Sequence, residues 1–445
     1  MSADEKSISL KTVIFFAVLV SVFALFRLFF IFNPLDSTEG ELAYFGQNTG
    51  AETMYAGKST ALMPLGAYIY RTAFTFAGEN AEAIRKLGVI YFLMAAALLF
   101  MAARTYFGTA LSVFAVFMYG LFQNTYAGGG LNAYPSYFSQ IFLLLAFLFI
   151  AELEEGFENA DYALSGAFTA AAFLTAAQAV FFVLLPLFFI LTRDKKTAGK
   201  KAVYFIAGFL IVFISCCVYM QKEGMLAGFF AALLPSFDLK VQGEVISIFT
   251  AYWAGFASAA LCVAAALIKK IKPESAPVLA ALLAAVICGA AGLITKEKGA
   301  FLCAAPFLAL SVSMLFQSAG MDKDSAANKA VITAAAVVII IAHFYISGMK
   351  GYLASGGLVH EKQYDSINAA EVIKNTGAKT LNTYCAGGCM EVYFLSGLKY
   401  SGNSDIICMD RSSPKDKISL NGYGIMAETK YYRIFGKGVK NEKNK

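Results

Sequence analysis

Three carboxylates, Asp36, Glu39 and Glu41, fall within six residues of the segment Asn33-Pro34-Leu35-Asp36-Ser37-Thr38-Glu39-Gly40-Glu41-Leu42-Ala43-Tyr44. A carboxylate held at a membrane surface beside aromatic walls is partly desolvated and suits general-base work. The same spacing also starts a helix, because a cap residue followed three positions later by Glu forms a capping box, and acids in a first turn complement the helix dipole. One cap needs fewer than three acids, so proton transfer stays beside the structural reading. Cations stand apart from these acids: Lys58 in Tyr55-Ala56-Gly57-Lys58-Ser59-Thr60, Arg85 in Ala83-Ile84-Arg85-Lys86, and Lys296 with Lys298 in Thr295-Lys296-Glu297-Lys298-Gly299. Such side chains can hold an anion such as a lipid phosphate or pyrophosphate, or simply snorkel to headgroups. Gly57-Lys58-Ser59 lacks the upstream glycine spacing of a phosphate-binding loop.

The elements that must position these residues are membrane helices. The chain is 58% hydrophobic and 15% charged, with a mean hydropathy of +0.62, which indicates a polytopic membrane protein. About eleven apolar stretches are each near the roughly 20 residues that a helix needs to cross a bilayer. They fall at 13–32, 87–103, 109–126, 137–151, 162–175, 178–192, 202–220, 246–268, 277–294, 300–317 and 330–347. The short pair at 162–192 reads equally as tilted half-spans or a re-entrant pair, which would lower the count to nine. The basic loops Arg193-Asp194-Lys195-Lys196 with Lys200-Lys201, and Lys269-Lys270-Ile271-Lys272, set the cytoplasmic side. The N-terminus then lies inside, and the 33–86 loop and the tail lie outside. Arg27, the charge within the first span, sits near its outer end and is expected to snorkel.

Inside the 33–86 loop, 39–48 reads as a short amphipathic helix and 62–76 as a second, broken near its start by Pro64. Their aromatic content suits the outer interface, where both are expected to lie flat. The division drawn is a membrane domain over 1–350, including the 33–86 loop, and an extracytoplasmic α/β domain over 351–445. In that tail, Ile367, Ala370, Val372 and Ile373 mark a helix stopped by Gly377, while 379–384 and 391–396 alternate like strands.

Cys216, Cys217, Cys262, Cys288 and Cys303 lie in spans as small apolar residues. Cys385, Cys389 and Cys408 lie in the tail, where a disulfide and free thiols are both open. His343 and His360 give no zinc spacing, and a divalent cation is left open. No basic face interleaved with aromatics speaks for a nucleic-acid partner.

The Asp-x-x-Glu-Gly-x-x-Ala-Tyr segment, the Gly-Lys and Pro-Leu-x-x-Tyr elements and Ala83-Ile84-Arg85 resemble the first outer loop of GT-C superfamily glycosyltransferases. More narrowly, they resemble the bacterial branch with the protein O-mannosyltransferases and the lipid A aminoarabinose transferase. Leu164 to Thr175 before Pro186, Phe301 to Pro306, and Glu391 to Gly397 are similar to later parts of that family, the last to a strand and turn. The resemblance implies a sugar donor on a polyprenyl phosphate, inversion at the anomeric carbon, and a glycan, lipid or protein acceptor at an outward cavity. It places the base at Glu39, with Asp36 and Glu41 as alternatives. It places Lys58 and Arg85 near the lipid phosphate; Lys296, Lys298, Tyr44 and Asn132 are the further candidates for substrate contact. Three departures remove polar groups that relatives carry, at Leu131-Asn132-Ala133-Tyr134, at Ala176-Ala177-Gln178 and at Lys298-Gly299-Ala300-Phe301-Leu302. A transporter or flippase of lipid-linked sugar, or a non-catalytic accessory subunit, are the other classes consistent with these features. The near absence of charge within the spans argues against a conduction path.

Overall fold

The computed structural model describes residues 10–33, 35–48, 63–124, 131–151, 158–193, 197–233, 302–321, 325–346, 361–384, 390–400, 404–411 and 423–439. It divides into two compact units. The first comprises residues 1–30, 58–66 and 85–354, and the second 31–57, 67–84 and 355–445.

The first unit is helical. It contains α1 (Leu10–Leu28), α4 (Ala81–Arg104, shared at its start with the second unit), α5 (Thr109–Gln123), α6 (Pro135–Ala151) and α7 (Glu158–Thr175). A 3-10 helix (Ala177–Val183), α8 (Leu184–Arg193), α9 (Ala198–Lys222), α10 (Leu226–Leu233), α11 (Ala305–Ser318) and α12 (Ala326–Ile346) follow. Among the described residues, α1, α4, α9 and α12 are long and apolar enough to cross a membrane. Helices suit this solvent because each satisfies its own backbone. Their outward faces carry exposed Phe15, Val18, Val22, Ile211, Val338 and Ile341, a surface that only lipid covers favourably. The short pair at 162–192 resolves into α7, the 3-10 helix and α8, and the chain narrows to 3-10 geometry just after Thr175. The spans expected at 246–268 and 277–294 lie outside the described residues.

Small residues set the helix spacing. A Cβ on Gly166 of α7 would stand 1.9 Å from the Phe205 carbonyl oxygen, and one on Gly208 of α9 would stand 1.8 Å from that of Ala163. The two backbones are therefore in contact, the arrangement that glycine permits between membrane helices. Aromatic stacking fills the rest of this seam, with Phe173 ringed by Phe209 and Phe213 at 6.4 and 6.0 Å.

The second unit joins the loop helices to the tail. It contains α2 (Ser37–Gln47), most of α3 (Pro64–Ala77), α13 (Glu361–Lys374), α14 (Met390–Ser396) and a sheet. Pro64 does not break α3; it opens it, because its missing N–H falls where a helix has no partner for one. Gly78, at φ +85°, ends it. Strands β1 (Thr380–Tyr384), β2 (Lys399–Tyr400), β3 (Ile406–Asp410), β4 (Tyr423–Glu428) and β5 (Tyr432–Lys437) lie in the order β2-β1-β3-β5-β4. The first three are parallel, and β5 is antiparallel to both β3 and β4. Ile407, Met409 and Phe435 pack together on one face with Tyr423. Asp405 accepts from the Lys379 and Thr380 amides, each at 3.1 Å, and from the Thr380 hydroxyl at 2.9 Å. These bonds hold its carboxyl below the usual value.

The 391–396 segment corrects the sequence reading: it is helix α14, not a strand. Its neighbours β1 and β2 pair in parallel, and parallel strands need a crossover rather than a hairpin. The alternation of Val392, Phe394 and their neighbours was too short to tell one from the other.

Candidate active site

The acidic segment is built from the start of α2. Asp36 is extended and caps the helix: its Oδ1 accepts from the Glu39 amide at 2.9 Å, and Glu39 Oε2 accepts from the Asp36 amide at 3.2 Å. The capping box of the sequence is thus formed. Glu39 is fully buried, whereas Asp36 and Glu41 are partly exposed. At the other end, Asn48 closes the helix with its backbone and side-chain N–H groups, both on the Tyr44 carbonyl at 3.0 Å.

Two helices of the second unit fix this carboxylate pair. A Cβ on Gly40 would stand 2.4 Å from the Glu391 Cα, so only glycine lets α2 lie this close to α14. Tyr44, expected among substrate contacts, is buried with its ring 5.4 Å from that of Tyr393. On the other side Gly46 abuts Tyr70 of α3, and Phe74 stacks on Phe394 at 5.6 Å. Glu391 is a further buried carboxylate that sequence reasoning passed over; its Oε1 accepts from the Tyr432 hydroxyl at 3.3 Å. Reading 391–396 as a strand hid it.

The first unit has its own polar end. Arg85 is buried on the first turns of α4, and its Nη1 donates to the Leu131 carbonyl at 3.0 Å and to Asn132 Oδ1 at 3.1 Å. Asn132 in turn donates from Nδ2 to the Tyr134 hydroxyl at 2.8 Å. Two residues singled out separately in the sequence are therefore bonded. Tyr137, in the first turn of α6, donates from its hydroxyl to the Gly88 carbonyl at 3.0 Å.

Arg27 corrects another expectation. It does not snorkel; it is 6% exposed. Its Nη1 donates to the Gln123 carbonyl at 2.9 Å, and its Cζ lies 4.7 Å from the Tyr137 ring centroid and 5.6 Å from that of Phe92. These rings offer the cation their π faces. Lys58, Lys296 and Lys298 lie outside the described residues. Among the described residues, no group of three or more His, Cys, Asp or Glu side chains is placed to hold a metal.

A family model described as dolichyl-phosphate-mannose-protein mannosyltransferase matches residues 60–220. The solved structure of ArnT from Cupriavidus metallidurans bound to undecaprenyl phosphate aligns over 96% of this chain and 98% of its own, with a TM-score of 0.67 and 13% identity. The chain has the GT-C fold. The likeness read from the first loop is borne out by this match. It extends to the Archaeoglobus fulgidus oligosaccharyltransferase AglB in complex with an inhibitory peptide and a dolichol-phosphate, at TM-score 0.58 and 10% identity over 90% of this chain and 70% of that one. It extends also to the mycobacterial arabinofuranosyltransferase AftD, at TM-score 0.53 and 12% identity over 98% of this chain and 40% of that one. No curated protein matches the sequence.

Proposed function

We propose that this GT-C-fold chain is an inverting glycosyltransferase that moves a sugar from a polyprenyl-phosphate donor to an acceptor hydroxyl at the outer face of the cytoplasmic membrane. The observation that carries the reading is the Asp36–Glu39 carboxylate pair, locked by two reciprocal hydrogen bonds at the head of α2. The neighbours described as bound to undecaprenyl phosphate and to dolichol-phosphate support the donor class. In this reading about eleven helices span the bilayer, the N-terminus is inside and the C-terminal sheet is extracytoplasmic.

A carboxylate takes the acceptor proton as the hydroxyl oxygen attacks the anomeric carbon. The bond from that carbon to the phosphate oxygen breaks on the opposite face, and the polyprenyl phosphate leaves with the electron pair. Motif position assigns the base to Glu39, but burial favours Asp36, since a base must reach the proton it removes. We assign proton abstraction to Asp36 and its positioning to Glu39, with Glu41 as a partly exposed neighbour. The sequence reading assigns Arg85, Lys58, Lys296 and Lys298 to the charge that develops on the leaving phosphate. Asn132 and Tyr44 then hold a site's shape rather than its charge.

Asp36→Asn and Glu39→Gln test this, because Asn remains a good cap and Gln serves in a capping box. Each removes a charge and keeps the fold. Asp36→Asn should lower kcat by about 10²- to 10⁴-fold, remove the acid limb of the pH–rate profile and leave Tm unchanged. Glu39→Gln should lower kcat less and keep that limb. Loss of the limb in Glu39→Gln alone returns the base to Glu39, and full turnover in both variants rejects the acidic segment as the site.

A further inference from the structure

The polar groups around Arg27 are more than one helix end needs. The last carbonyls of α5 lack the regular helical partners, and the Asn124 backbone and two side chains supply them. Asn124 donates from its amide to the Gly120 and Leu121 carbonyls at 3.1 and 3.2 Å, and from Nδ2 to Gly120 at 2.7 Å. Arg27 supplies the Gln123 carbonyl. That exhausts the capping role, and polar groups on four side chains remain unused.

The Arg27 guanidinium has five N–H donors, and a single hydrogen bond to the protein occupies one of them. No carboxylate among the described residues pairs with it. The side chain of Gln123, fully buried, has neither Nε2 nor Oε1 bonded, and Asn124 Oδ1 is buried without a partner too. Ser136 Oγ, at the start of α6 near Tyr137, is a fourth such atom. Buried polar atoms left unsatisfied are costly; all four belong to Gln123, whose carbonyl Arg27 caps, or to residues next in sequence to Gln123 and Tyr137, the two residues that touch the cation on α5 and α6.

We propose that Arg27, Gln123 and Asn124 form a binding subsite for a phosphate that carries a polyol, as a glycosyl phosphate on a lipid does. The proposal rests on the glycosyltransferase reading for the identity of that lipid. The donors fit the phosphate: a guanidinium fork matches two oxygens of one tetrahedral anion, and Gln123 Nε2 adds a third N–H. The acceptors, Gln123 Oε1 and Asn124 Oδ1, match the free hydroxyl groups of the attached polyol, which donate to them. The rings of Phe92 and Tyr137 lie against the guanidinium and reduce its contact with water, which strengthens the charge–charge attraction. Arg27 is a binding residue additional to Arg85. Tyr137 links the two locally, holding the Arg27 cation on its ring and the α4 backbone, at Gly88, with its hydroxyl.

Native mass spectrometry of the full-length protein in detergent measures this, with a short-chain polyprenyl phosphohexose and phosphatidylglycerol titrated separately. The variants are Arg27→Gln and Gln123→Leu, each with Tm recorded. Gln123→Leu is the sharper of the two, because it leaves the carbonyl that Arg27 caps and removes only the unbonded amide. If that amide were merely structural, its removal should hold or raise Tm and leave lipid binding alone. The expectation is that the parent binds the phosphohexose lipid and that both variants weaken it at least tenfold, with Tm of Gln123→Leu held or raised. Binding unchanged in both variants, with Tm lowered only in Arg27→Gln, overturns the subsite and leaves the proposed function standing. Parent binding confined to phosphatidylglycerol, weakened by both changes, upholds the subsite and removes the proposed donor. A parent that binds neither lipid overturns both.

Discussion

Arg85 and Asn132 stand 47 positions apart and are joined by one hydrogen bond of 3.1 Å. The same Nη1 also holds the Leu131 carbonyl, so removing the guanidinium strips a backbone and a side-chain acceptor of their donor. Arg85→Met should therefore destabilise the protein by about 1–3 kcal/mol and, if this residue meets the lipid phosphate, raise KM for the lipid donor more than for the acceptor. A thermal scan and donor and acceptor kinetics check the two parts separately. Unchanged donor KM with a lowered Tm would reduce Arg85 to an anchor for the 131–134 turn. The chemistry visible in the sequence at this scale was the local kind. Asp36 and Glu39 announce a capping box because the partners are three residues apart. Arg27 meets Gln123 across 96 positions, and no pattern of spacing encodes that, so its burial was misread as snorkelling.

At the scale of elements, glycine decides how closely helices approach. Gly208 lies on α9 with Ala163 backbone atoms within 3 Å of where a Cβ would stand. Its neighbour along the helix, Gly199, has nothing within 4 Å. Alanine should thus act in opposite directions at the two sites. Gly199→Ala should stabilise by about 0.5–1 kcal/mol through helix propensity. Gly208→Ala meets a backbone carbonyl that cannot rotate away, and overpacking should cost about 1–3 kcal/mol or more. Tm of the two purified variants in one detergent checks the sign, and equal shifts would mean that α7 and α9 slide apart without penalty. The helices themselves were legible, because a run of apolar residues in a bilayer has no other way to satisfy its backbone. Short segments were not: 391–396 gave the same apolar alternation as a strand, and the parallel pairing of β1 with β2, which dictates a crossover, is a long-range fact.

At the scale of the whole molecule, hydropathy and loop charge foretell a membrane protein but not the composition of its second unit. That unit draws α2 and most of α3 from the first loop and α13, α14 and the sheet from the tail. The signal for the union is the pairing of Gly40 with Glu391, 351 positions away in sequence and within 2.4 Å of a Cβ, which pattern reading has no means to register. The union has a consequence for topology. Segments of one compact unit share one side of the membrane, so the side of the tail is also the side of the Asp36–Glu39 pair. The positive-inside rule, applied to the basic loops at 193–201 and 269–272, predicts that this side is the outer one. Asn375→Cys, at an exposed position beyond α13, reports on the tail in a background where Cys385, Cys389 and Cys408 are alanine. Lys200→Cys, exposed on the first turn of α9, reports on the basic loop. In intact spheroplasts a membrane-impermeant maleimide should label Asn375→Cys at once and Lys200→Cys only after permeabilisation. The reverse pattern would turn the protein over and put the carboxylate pair in the cytoplasm, where an outward acceptor could not reach it.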